Sequence, residues 1–219
     1  MACDPLVVRK LCAQGSAKNG EEELVRNFSY DFRAGVCYRL TSSEQASKSL
    51  LLQLLGLQAV PDSGEIEVDG ISVRGMSFDD LSHLRNRKFG FLFSAPFLLP
   101  AFTVLENVAM PLFKIAQVAA PEAKIITEEI MNFVGVTQIA DRSIGELNPS
   151  QQVQAALARA LVHHPRILIA ENLGSNLSTE ATERLLVTIR QAAQRLGIAA
   201  IFTTMSLVAP HPDDVCVGA

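Results

Sequence analysis

The 219-residue chain has no tryptophan, two tyrosines and four cysteines, and only 19% of its residues are charged. Cys3, Cys12, Cys37 and Cys216 stand far apart, with no CxxC pair and no Cys/His cluster. That excludes a disulfide scaffold and implies no metal site, leaving reduced thiols of a cytosolic protein. His163 and His164 are neighbours, so from one helix they point in different directions and share no metal. An excess of basic charge is missing too: 19 Lys and Arg against 23 Asp and Glu leave a net charge of −4, which gives no electrostatic footprint for nucleic acid. Long apolar runs are also absent. Residues 89–105 carry no charge but are interrupted by Gly90, Pro96 and Pro100, and 197–212 is broken by Thr203, Thr204, Ser206 and His211. Neither stretch reads as a bilayer span. Asp4, Arg9 and Lys10 interrupt any apolar start, so no signal peptide is expected.

What is present suits a large packed core. Hydrophobic residues make up 48% of the chain, and the mean hydropathy is +0.22. Short strands are expected at 6–9, 28–32 and 36–41, with a polar loop at 14–23 broken by Gly15 and Gly20. Leucines at 50, 51, 54, 55 and 57 predict a helix over 47–57. Residues 61–64 then turn the chain into a strand at 65–68, and Asp69 with Gly70 signals a hairpin into 71–73. A strand follows at 89–93, and the pattern is largely helical over 104–140, with Pro111 and Pro121 as punctuation. Helices at 151–163 and 179–197 flank an all-apolar strand at 167–170, and a last buried strand covers 199–203. Alternation of apolar strands and helices predicts an α/β fold with a mostly parallel, covered sheet, joined to an antiparallel β subdomain.

Residues 84–112 read LRNRKFGFLFSAPFLLPAFTVLENVAMPL. This stretch resembles the Q-loop region of ATP-binding-cassette (ABC) ATPases, in the branch that serves lipoprotein-release, macrolide-export and cell-division permeases. Residues 146–161, ELNPSQQVQAALARAL, are similar to the family's signature helix, and 164–178, HPRILIAENLGSNLS, to its Walker B strand and D-loop. The resemblance implies a P-loop NTPase-like ABC ATPase fold over 1–219 as one domain, with a helical subdomain at roughly 95–162.

The resemblance also implies site residues, and several depart from the family pattern. A P-loop cradles phosphates because its glycines adopt backbone angles that aim N–H groups inward. Aligned on Lys48 and Ser49, the glycine positions hold Ser42, Gln45 and Ser47, and Glu44 adds a carboxylate beside them. A non-glycine residue forced into the left-handed region costs about 1–2 kcal/mol. Lys48 and Ser49 are thus expected as a weak remnant of the phosphate site. Ser94 matches the Q-loop glutamine, Glu171 the Walker B aspartate, Asn172 the general base, Ser178 the D-loop aspartate and Met205 the switch histidine. Asn148, Pro149 and Ser150 replace the signature Ser-Gly-Gly. An amide takes no proton from water near neutral pH.

These departures give the expectation of a catalytically inactive pseudo-ATPase, not an enzyme, with no cofactor and weak or absent binding of ATP and magnesium. Its role would be that of a structural or regulatory partner of a permease-like integral membrane protein in a cell-envelope complex, peripheral on the cytoplasmic face. Phe97, Leu98 and Leu99 are the expected partner-binding residues, in a groove built from 89–113. A homodimer or a heterodimer with another ABC ATPase is compatible with the resemblance. The alternative is a degenerate ATP-binding subunit of an asymmetric dimer with an intact partner. A third reading is a cytosolic binding module that has left transport.

Overall fold

A computed structural model describes residues 3–16, 22–41, 45–204, 211–212 and 214–218. The chain opens with two long antiparallel strands, β1 (Leu6–Ser16) and β2 (Glu22–Phe32), followed by β3 (Cys37–Thr41) and helix α1 (Gln45–Leu55). β4 (Ser63–Val68) and β5 (Ile71–Ser72) form the expected hairpin. Asp69 and Gly70 sit at φ 49° and 76°, the pair of positive angles that a two-residue turn of right-handed strands demands. Then come α2 (Phe78–Lys88), β6 (Phe89–Leu92), α3 (Val104–Pro111), a π turn at Leu112–Ala116, and α4 (Ala120–Val134). The second half runs α5 (Pro149–Leu161), β7 (Ile167–Leu173), α6 (Thr179–Leu196), β8 (Ala199–Thr204) and β9 (Asp214–Gly218).

Two sheets result. The antiparallel one has the order β2-β1-β4-β5, and the parallel one β6-β7-β8-β3-β9. The parallel strands other than β9 are covered on both faces, and their two-residue period divides the core. Ile167, Ile169, Ala199, Ile201, Tyr38 and Leu40 face the antiparallel sheet and the leucines of α1. Leu168, Ala170, Ala200 and Phe202 face the opposite core, which α3 to α6 line.

Two differences from the sequence reading have physical causes. β1 and β2 extend into the expected polar loop from both sides, Gly15 pairing with Glu23, because strand pairing fixes polar residues that have no apolar alternation of their own. α2 has no fully buried residue, and its only apolar contacts with the core are the half-buried Leu81 and Leu84. It is supported further at its ends by the Ser77 cap, by Asp79 and Asp80 in the first turn, and by Arg85, Arg87 and Lys88 in the last. The long helical stretch is divided at Pro111, as expected, because proline lacks an N–H, and the chain loosens there into the π turn. Among the described residues no helix is long and apolar enough to cross a membrane.

Candidate functional site

All pairings in the β6-β7-β8-β3-β9 sheet are parallel, so the carboxyl ends of five strands make one edge. Loops and helix N-termini leaving such an edge form the ligand crevice of open α/β sheets. Lys48 and Ser49 stand in the opening turns of α1, directly after β3, and both are half-buried. Glu171 and Asn172 lie near the end of β7, Thr204 ends β8, and Ser94 follows the end of β6 by two residues. Strand order thus gathers Lys48, Ser49, Ser94, Glu171 and Asn172 from across the sequence onto one edge. Ser178 sits apart, beyond the turn after β7, where its hydroxyl accepts the Ala181 N–H at 3.2 Å and caps α6. Ser42, Glu44 and Met205 lie outside the described residues.

The backbone overturns one step of the sequence reasoning. Gln45 and Ser47 fall within α1, so their backbone is right-handed helix and carries no left-handed penalty. The buried Ser47 hydroxyl faces β2, where it accepts the Leu24 N–H at 3.4 Å. A phosphate chain with its magnesium ion fits the residues gathered at this edge. The Lys48 ammonium and Ser49 hydroxyl open a helix with no acidic residue in its first turn, and Glu171 contributes a carboxylate. Thr204 Oγ1 is buried at the same edge with no hydrogen-bond partner among the described residues, a group that a bound ligand or its water shell would satisfy.

Asn172 holds φ 49°, a backbone that asparagine tolerates better than most residues, and its N–H donates to Thr203 Oγ1 at 2.8 Å. At the start of α5, Asn148 and Gln151 cap each other reciprocally. The Gln151 N–H donates to Asn148 Oδ1 at 2.9 Å and the Asn148 N–H to Gln151 Oε1 at 3.1 Å, with Pro149 at the first helical position. The signature-like stretch is therefore a rigid, well-formed helix start.

The three apolar residues before Pro100 do not share one environment. Phe97 is 68% exposed and Leu99 41%, but Leu98 is buried with Leu92, Val104 and Val108. Leu98 is therefore a core residue, which corrects the expectation of a three-residue surface patch. Phe89 is buried as well, so the groove does not begin there. A largely apolar cavity of about 490 Å³ lies between α3 and α4, with Phe102, Leu105, Met110 and Phe113 in its walls. Two residues that fix this region escaped the sequence reading. The buried Asn107 side chain accepts the Leu99 N–H at 2.7 Å and donates to the Leu99, Phe102 and Thr103 carbonyls. Arg159 donates to the Pro96 and Phe97 carbonyls at 2.6 and 2.8 Å. Burial lowers the Arg159 guanidinium from its ordinary value. A polar residue inside an apolar helical pattern is the only sequence signal either one offers.

The chain belongs to the ABC transporter family, whose model matches residues 25–172. It is 34% identical over 185 residues to the lipoprotein-releasing system ATP-binding protein LolD of Bacteroides thetaiotaomicron, covering 84% of each chain. It is 31% identical over 191 residues to the protein of the same name from Bdellovibrio bacteriovorus, covering 86% of this chain and 85% of that one. In structure it resembles the dimeric bacterial ABC transporter cassette MJ0796, with a TM-score of 0.77 at 23% identity over 91% of this chain and 87% of that one. It also resembles cbiO1 of Clostridium perfringens, with a TM-score of 0.80 at 20% identity over 93% and 79% of the two chains. Likeness at that identity establishes the ABC cassette fold, with its parallel and antiparallel sheets and helices.

The comparisons overturn two expectations. The relatives over five-sixths of the chain are named ATP-binding proteins, against a non-enzyme that does without a cofactor. A further matched cassette, with a TM-score of 0.76, is described as bound to ADP and Pi after hydrolysis. The physical reason lies in α1: positions 45 and 47 are helical, so the left-handed penalty expected from the missing glycines does not arise there.

Proposed function

We propose that the chain is the ATP-binding subunit of an ABC transporter of the lipoprotein-releasing kind, lying on the cytoplasmic face of the membrane against a permease-like protein. The observation that carries this reading is 34% identity with a lipoprotein-releasing ATP-binding protein, sustained over 84% of both chains. Bound magnesium–ATP supplies the phosphoanhydride bond whose hydrolysis drives such a machine. Lys48, Ser49 and Glu171 would hold that group, the Lys48 ammonium as a compact cation for phosphate oxygens, the Ser49 hydroxyl of α1 and the Glu171 carboxylate of β7 as oxygen ligands for the metal. The Asn172 amide and Ser94 hydroxyl orient water by hydrogen bonds, the task that an amide performs in other phosphoryl-transfer sites.

Residues 95–162 serve as the helical subdomain that meets the membrane partner. Phe97 and Leu99, together with the cavity walls at Phe102 and Phe113, form the apolar surface for it. A second reading, pairing with a different cassette instead of a second copy, is favoured by Asn148, Pro149 and Ser150 at the start of α5, in place of the Ser-Gly-Gly of the family pattern the sequence resembles. Sedimentation of the purified chain with and without nucleotide separates self-pairing from a need for a second cassette.

Calorimetric titration with magnesium–ATP tests the main reading. The wild-type chain should bind, and Lys48→Ala should weaken binding at least tenfold, about 1.4 kcal/mol. Wild-type protein that gives no binding heat and no nucleotide protection at millimolar ATP sinks the assignment of the site.

A further inference from the structure

Phe97 is an aromatic residue held at φ 47°, in the left-handed region, with most of its ring in solvent. That backbone is unfavourable for a side chain with a Cβ and persists only where the surroundings impose it. The exposed ring itself has one aromatic contact, an edge-on approach to Phe93 at 5.8 Å between centroids. What imposes the turn is polar. Both terminal guanidinium nitrogens of Arg159 reach across 62 and 63 residues of sequence to the Phe97 and Pro96 carbonyls, and Asn107 fastens Leu99 from the other side. Between these two grips the chain turns so that Phe97 faces out while Leu98 drops into the core.

Arg159 belongs to α5, the helix whose other end is the Asn148–Gln151 cap. That helix is pressed on β6 at Gly90, where an added Cβ would stand 2.2 Å from the Ala160 carbonyl oxygen. Its last turns, β6 and the 93–97 loop are therefore fastened together, by packing on one side and by the guanidinium on the other. An arginine suits this role because its planar fork serves two carbonyls at once, which a lysine ammonium cannot do with the same geometry.

We propose that Arg159 is the positioning residue of the partner surface: from α5 it locks the Pro96 and Phe97 carbonyls, so that the Phe97 ring is presented outward and any displacement of α5 is carried to it. This rests on the reading of Phe97 and Leu99 as the residues that meet the membrane partner.

The test uses the full chain and two readouts. Hydrogen exchange compares the 94–102 segment with β6 and α5 in wild type, Arg159→Met, Arg159→Lys and the Arg159→Met/Phe97→Gly pair. Co-sedimentation with native cytoplasmic-membrane vesicles, against liposomes of the extracted lipids, compares wild type, Arg159→Met and Phe97→Asp. Arg159→Met should speed exchange around Leu99 about tenfold with β6 and α5 unchanged, and Arg159→Lys should recover part of the protection. Glycine at 97, which accepts the left-handed turn without a clamp, should recover more. Vesicle binding should fall about tenfold in Arg159→Met and be lost in Phe97→Asp. Unchanged exchange at 96–99, or faster exchange spread equally through β6 and α5, overturns the clamp. Loosened exchange with vesicle binding intact in Arg159→Met but lost in Phe97→Asp overturns the positioning role and leaves the surface standing. Binding intact in both variants removes the surface, and the positioning role with it.

Discussion

Gly90 and Ala160 touch backbone to backbone: a Cβ added to Gly90 would lie 2.2 Å from the Ala160 carbonyl oxygen and 3.0 Å from its carbon. This contact sets how closely α5 lies on β6, and through α5 it sets the position of Arg159. Gly90→Ala must push the helix off the strand, because the obstacle is backbone and cannot rotate away. The expected loss is about 2–3 kcal/mol, as for other overpacked cores. For a chain of this size that lowers the thermal midpoint by roughly 5–10 °C. Calorimetry or circular dichroism on the purified variant measures it, and an unchanged midpoint contradicts the close contact.

Leu98 and Phe97, adjacent in sequence, should respond in opposite ways to the same substitution. Leu98→Asp buries a carboxylate among Leu92, Val104 and Val108 and should cost about 3–5 kcal/mol of stability. Phe97→Asp places its charge in solvent and should leave the thermal midpoint nearly unchanged while abolishing sedimentation with membrane vesicles. Equal destabilisation by the two variants contradicts this division of the loop.

Asp69 carries a pH dependence whose sign follows from its surroundings. Burial pushes its carboxyl up, but hydrogen bonds from Lys88 Nζ at 2.6 Å and Arg166 Nε at 3.0 Å, with their charges, outweigh it and hold the group below its ordinary value. A depressed carboxylate stabilises the fold above its unfolded pKa, and that contribution is lost as pH falls through the folded value. Asp69→Asn keeps a residue that tolerates φ 49° and removes only the charge. Urea titrations should show the variant weaker by about 1–2 kcal/mol at pH 7. The gap should close as the pH drops below about 4, the ordinary carboxylate range. A constant gap across pH places the effect in the turn and not in the charge.

The four cysteines should divide by reactivity. Burial, reinforced by the nearby Asp214 carboxylate and opposed by Arg190, pushes the Cys37 thiol up to about 12, so almost no thiolate exists at pH 8. Cys3 and Cys216 are exposed. Iodoacetamide followed by peptide mass mapping should alkylate Cys3 and Cys216 rapidly and leave Cys37 unmodified until denaturant is added. Modification of Cys37 in the native protein at the rate of Cys216 would show that β3 opens readily.

The apolar strand stretches at 167–170 and 199–203, the leucine pattern of α1 and the Asp69-Gly70 turn follow from sequence alone, because each depends on periodicity or on local backbone preference. So does the succession of motifs from Lys48 through Ser94 to Glu171 and Asn172, since residue order is the sequence itself. Tertiary structure decided the rest. That Gln45 and Ser47 are helical and not strained depends on where α1 begins, which packing against β2 and the sheet settles. α2 has only the half-buried Leu81 and Leu84 to betray it. Leu98 and Phe97, equal in hydrophobicity class and adjacent in the chain, part company only because Arg159 and Asn107, brought from 62 residues and from 8 residues or more away, turn the backbone between them. Local preferences act over a few bonds and leave their mark in the sequence. A guanidinium that bridges two distant carbonyls acts through space, and only the packed chain brings the partners together.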